Sequence, residues 1–140
     1  MAKYISNDEN MNICDKIIKD KIEKIKKPEN VIMQVNYVLP TGLRLIPYGD
    51  KVEKEIRNYR DEVSKSTEIR YKDHDNYEFH VSVAYIIDEF DEEETKEIDL
   101  ILEKYNQKLQ DKKIIETLPA PEFVIFNDMM VYFTELDKRI

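Results

Sequence analysis

Apolar residues Met11, Cys14, Ile17, Ile18, Ile22 and Ile25 recur at three- and four-residue steps, which lays one stripe along a helix and predicts a first helix over about 7–27, ended by Pro28. At Val31 the period changes to two. Val31, Met33, Val35 and Tyr37 fall on one side, with Gln34 and Asn36 opposite, so "VIMQVNYV" reads as a strand. "LPTGLRLIPY" adds a Pro-Thr-Gly turn and a second short strand, with Leu43 and Leu45 on one side and Arg44 on the other, so 31–47 reads as an antiparallel hairpin. Asp50 fits the N-cap of a helix to about Ser66, striped by Val52, Ile56, Tyr59 and Val63. "RYKDHDN" is a loop of turn formers. In "YEFHVSVAY" (77–85) the alternation returns. Tyr77, Phe79, Val81, Val83 and Tyr85 form the expected core face, while Glu78, His80, Ser82 and Ala84 form the other.

Asp91 and Glu94 have capping-box spacing and open a helix to about Asp111, striped by Ile98, Ile101, Leu102, Tyr105 and Leu109. "KIIETL", a bend at "PAP", and "EFVIF" and "MMVYFTEL" joined through Asn127-Asp128 complete the chain, the last two segments as paired strands. The order helix, two strands, helix, strand, helix, then two or three strands predicts an α+β fold with helices packed on a mainly antiparallel sheet. With no repeat, low-complexity tract or dividing linker, residues 1–140 read as a single domain.

Composition narrows the function. At 140 residues, with 37% charged and 41% hydrophobic residues, the chain is long enough to bury a self-sufficient core. A formal charge of −8 argues against general nucleic-acid backbone binding, which draws its affinity from Lys and Arg neutralising phosphates. A small anion needs only a few local donors and stays possible. The single cysteine, Cys14, reads as a buried thiol in a reducing compartment. The polar N-terminus lacks an apolar leader segment and no apolar run approaches a membrane span, so the expected location is the cytoplasm.

The chemistry concentrates on 80–82. One residue apart on a strand, His80 and Ser82 point the same way at roughly 6 to 7 Å. An imidazole exchanges a proton near neutral pH and a neighbouring hydroxyl can hold an oxygen, so the pair suits a phosphate oxygen. Arg44 offers a planar fork of donors for the same anion, with Arg60 and Arg70 as weaker candidates. "DEFDEEE" is acidic, but acidic residues are favoured at a helix N-terminus and no second ligand cluster accompanies them, so no metal is expected. The plain alternative for His80 is an imidazole satisfied by a backbone carbonyl beneath a helix; for Arg44 it is an exposed strand arginine.

His80-x-Ser82 followed by an aromatic residue resembles one motif of the two-histidine phosphoesterases. "GLRLIPYGD", "YRDEVSKSTEIRYKDHDNYEFHVSVAYII" and "PAPEFVIFNDMMVYF" together resemble the C-terminal part of an uncharacterised family allied to them, over about two thirds of the chain, Pro40 to Phe133. The resemblance implies an α+β lobe that offers its H-x-[S/T] strand to a cleft shared with a second lobe. It implies two histidines acting as general base and general acid on small phosphoesters such as 2′,3′-cyclic phosphates, with no metal or other cofactor.

This chain departs from that pattern in having no histidine before His74. His80 and Ser82 match the second motif, and the first has no counterpart. His74 is a possible second histidine only if "DHDN" folds back, because six residues of extended strand span roughly 20 Å. Otherwise His74 orients a turn. A homodimer that sets two copies of His80 face to face is another source of the second group, and an ordered water a third. The expectations are therefore a phosphodiesterase-like domain that binds a small cyclic nucleotide, or a catalytically silent protein that captures a nucleotide or a protein partner with a degenerate face.

Overall fold

The computed structural model describes residues 8–126 and 131–134. Among these residues three helices, α1 (Asp8–Ile22), α2 (Asp50–Thr67) and α3 (Glu92–Asp111), accompany six strands: β1 (Val31–Leu39), β2 (Gly42–Pro47), β3 (His80–Ser82), β4 (Ile115–Leu118), β5 (Ile125–Phe126) and β6 (Tyr132–Phe133). The fold class is α+β, as the periodicities require. Its main sheet has the order β3-β2-β1-β4, antiparallel at every step, and curls into a half-barrel. No helix among the described residues is long and apolar enough to cross a membrane.

The chain divides into two compact units that interleave in sequence. The first takes in α1, α2 from Glu55 onward, and the β5–β6 pair; the second holds the main sheet, the start of α2, and α3.

In the first unit, Ile56 and Ser64 of α2 and Ile125 of β5 are buried. Lys19 of α1 donates to the backbone oxygen of Thr134 just after β6, at 2.9 Å. Phe126 and Tyr132 meet edge-on across β5–β6 with centroids 5.3 Å apart. Both rings are partly open to solvent, at 39% and 49%, because a pair of two-residue strands is too short to enclose them. The turn proposed at Asn127-Asp128 lies outside the described residues. Cys14 is half-buried, not enclosed, and Met11 and Ile17 of the same stripe are about half exposed. The helix stops at Ile22, short of the predicted end, in a turn where Ile25 N–H donates to Ile22 O. Burial pushes the Tyr59 hydroxyl's pKa up, because the phenolate would lose water.

In the second unit a β-bulge governs the faces. Val35 pairs with Leu45, but Tyr37 pairs with Arg44, so Asn36 is extra and the parity of β1 flips across it. Val31, Met33 and Leu45, all buried, define one face of the sheet, and Tyr37 joins Arg44 on the other. The sequence reading had put Tyr37 beside Met33; a strict period of two cannot register an inserted residue.

Gly42 is required where β3 meets β2. A Cβ there would lie 1.8 Å from the Val81 backbone oxygen, so a side chain would push the edge strand away. Gly49, at φ +97°, turns the chain into α2, and its carbonyl accepts from Glu53 N–H. The N-cap position therefore belongs to Gly49, and Asp50 is the first helical residue, adding negative charge to the first turn.

The capping box of α3 is present as read: Asp91 Oδ1 accepts from the backbone of Glu93 and Glu94, and Asp91 N–H donates to Glu94 Oε2. α3 lies along β1, with Ile98, Leu102, Asn106 and Leu109 half-buried, while Ile101 and Tyr105 of the predicted stripe are about half exposed. Past the β4 pairing, Asn106 continues the edge of β1 by accepting from Val38 N–H at 2.7 Å and donating to Val38 O at 3.4 Å.

Candidate functional site

The site is built by register. β2 and β3 pair as Gly42 with Ser82, Leu43 with Val81, and Arg44 with His80, and the ladder continues where Leu45 N–H donates to Phe79 O at 2.8 Å. Directly paired residues share a face, so Arg44, His80 and Ser82 stand together with Tyr37, away from Met33 and Leu45. Three of the residues singled out from sequence thus gather on one side of one sheet.

That side is open. His80 and Ser82 are exposed, and His80 is not covered by a helix. Its Nδ1 lies 3.1 Å from the backbone oxygen of Glu78. A carbonyl only accepts, so Nδ1 is the donor in this contact, which in the neutral tautomer places the lone pair on Nε2. The Tyr77 ring stands 6.0 Å from the imidazole, centroid to centroid.

Arg44 is largely enclosed, its side chain 17% accessible, and its guanidinium carbon lies 5.4 Å from the centroid of the Tyr37 ring. It forms an ion pair with the Glu78 carboxylate, whose side chain is 66% accessible. The hydrogen bond to Glu78 raises the Arg44 pKa above its ordinary value, against the smaller opposing effect of desolvation. Glu78 and Tyr37 belong to the site and were not among the residues chosen from sequence. Glu78 shares parity with His80 and was legible on that ground, whereas Tyr37 was hidden by the bulge.

The strand carrying His80 is shorter than its alternation suggests. Of 77–85 only His80–Ser82 form β3. Beyond it the N–H groups of Val83 and Ala84 both turn to Thr41 O, at 2.9 and 3.2 Å, and the chain leaves the ladder. Val81, Val83 and Tyr85, predicted as core, are 39%, 74% and 57% exposed, because an edge strand of three residues has little to lie beneath. Tyr77 and Phe79 are half-buried and pack edge-on at 5.5 Å.

His74 sits in the turn before this strand, 8% exposed, its N–H donating to Tyr71 O at 3.1 Å. The two histidines therefore occupy opposite surroundings, one enclosed in a turn and one open on the sheet. Arg60 and Arg70 belong to the first unit, Arg70 within 3.6 Å of Asp61. Among the described residues no three His, Cys, Asp or Glu side chains converge as metal ligands. A cavity of about 340 Å³ lies at the tip of the β1–β2 hairpin, lined by Pro40, Thr41, Ala84, Tyr85 and Phe90 among others; Tyr37, Arg44, Glu78, His80 and Ser82 do not line it.

No family model matches the chain, and no curated protein matches it in sequence. Among solved structures it is similar to a conserved protein of unknown function, ATU0111, from Agrobacterium tumefaciens strain C58, with a TM-score of 0.75 at 21% identity over 93% of this chain. The match covers 55% of that protein, so this chain spans about half its length, and at this identity the likeness is one of fold.

Proposed function

We propose that the open sheet face bearing His80 binds a small phosphoester of the cyclic-nucleotide class, in the manner of a two-histidine phosphoesterase lobe, with His80 as proton-transfer group, Ser82 as oxygen ligand and Arg44 as anion anchor. The observation that carries this reading is the register of β2 on β3, which aligns Arg44 with His80 on a solvent-open face. The Nδ1 contact to Glu78 O supports it further, since it leaves Nε2 as the basic nitrogen.

A second reading is capture without turnover. It is favoured by the burial of His74, which leaves His80 as the imidazole displayed on this face. A missing proton-transfer group typically costs about 10² to 10⁴ in rate while sparing ligand affinity. A second copy of the chain is the partner proposed to supply the missing group, because the segment leaving β3 exposes Val83, Tyr85, Ile86 and Ile87 as a strip next to the site.

The test is a panel of 2′,3′-cyclic mononucleotides and cyclic dinucleotides scored for both binding and hydrolysis, with His80→Ala and His74→Ala beside the wild type. Hydrolysis lost in His80→Ala and kept in His74→Ala supports His80 as the proton-transfer group. Binding without hydrolysis supports capture, and silence toward every ligand removes both readings.

A further inference from the structure

Arg44 and Glu78 differ in a way that matters for any anion approaching His80. The guanidinium is mostly enclosed, at 17% accessibility, and lies against the Tyr37 ring, whereas the carboxylate paired with it is 66% accessible and sits two residues before His80 on the same side of the chain. A carboxylate and a phosphate present matching pairs of oxygens to a guanidinium fork. Glu78 therefore fills the seat that an incoming oxyanion needs, and its exposure lets it swing into water when displaced.

We infer that Glu78 is a built-in competitor at the anion seat of Arg44, so that phosphate binding beside His80 proceeds by exchange of the Glu78 carboxylate for the ligand. This rests on the phosphoester reading above and adds a control on its affinity. A ligand whose seat is occupied by a tethered rival binds with an affinity reduced by the occupied fraction. For an ion pair this exposed, the closed form is favoured by about fivefold, so removing the carboxylate tightens binding by about that factor. The backbone oxygen of Glu78, which orients the His80 ring, is untouched by a side-chain substitution, so the imidazole stays in place.

The experiment titrates inorganic phosphate into the full chain at fixed ionic strength and follows the His80 imidazole by NMR. Glu78→Gln and Glu78→Ala are each expected to lower the dissociation constant about fivefold. Arg44→Gln is expected to weaken binding, and adding Glu78→Gln to it to restore nothing. Glu116→Gln, at an exposed position on β4, changes net charge by the same amount and is expected to leave the constant within twofold of wild type. Equal phosphate affinity in wild type and both Glu78 variants, or an equal gain in Glu116→Gln, overturns the competitor role while leaving the anion site standing. A His80 signal indifferent to phosphate in every protein overturns the anion site itself.

Discussion

β1 and the stretch 77–85 carry the same apolar alternation, yet β1 lies between β2 and β4, in register with both at Met33 and Gln34, and holds buried Val31 and Met33, whereas 77–85 contributes a three-residue edge strand with every residue exposed. The difference is one of neighbours. Alternation states which residues can share a face; a second strand and a covering layer decide whether that face is enclosed. β1 has a strand on each side and Asn106 finishing its edge, whereas β3 has β2 on one side and departs at Thr41. The consequence for function is that the weakly held strand is the one that displays His80 and Ser82.

The largest expected effect comes from β1. Met33 is 2% exposed, so Met33→Ala leaves a cavity and should destabilise the chain by about 2–5 kcal/mol in urea denaturation. A cost below about 1 kcal/mol would mean that β1 is no better enclosed than β3, and the contrast would fail.

Gly42→Ala tests the seam between the two regions. With the new Cβ only 1.8 Å from Val81 O, backbone must shift, at a cost of about 1–3 kcal/mol. The shift should fall on β3, the shorter partner. Hydrogen exchange at Leu45, whose N–H donates to Phe79 O, should therefore accelerate more than at Val35, whose N–H donates to Ile114 O. Equal acceleration at both would show that β3 is held as firmly as β4.

Asn106→Ala removes the side chain that satisfies both backbone groups of Val38, and should cost about 1 kcal/mol, since water replaces part of what is lost. A negligible cost would show that the edge of β1 is no better secured than that of β3.

The elements and the chemistry were legible to different depths. Helix ends such as the Asp91 capping box are written in residues three apart, and the β1–β2 hairpin in its Pro-Thr-Gly turn, so local spacing sufficed for both. The His80-x-Ser82 row was visible because parity within three residues is hard to upset. Arg44 was named for the same anion from its chemistry alone; its direct pairing with His80 depends on a register between strands more than thirty positions apart in sequence, which no local spacing states. Tyr37 was assigned to the wrong face by the bulge at Asn36, which no residue in "VIMQVNYV" announces. The burial of His74 and the exposure of Val83 were equally hidden, because both follow from what covers a segment and not from its own pattern.

The smallest expected effect on folding belongs to the far end of the stretch, where Ile87 is 93% exposed. An apolar side chain that buries almost nothing contributes almost nothing, so Ile87→Ser should alter the stability of dilute protein by no more than about 0.5 kcal/mol. Its effect should appear in self-association instead. If a second copy covers Val83, Tyr85, Ile86 and Ile87, light scattering on wild type should give a mass that rises toward a dimer with concentration, and Ile87→Ser should hold it near the monomer. Stability that becomes concentration-dependent in wild type and not in the variant would tie the two measurements together. A wild type that stays monomeric would leave the strip uncovered and remove the second copy as the proposed source of a second proton-transfer group. His80 would then stand as the single imidazole displayed on the sheet, a state that suits holding an anion better than turning it over.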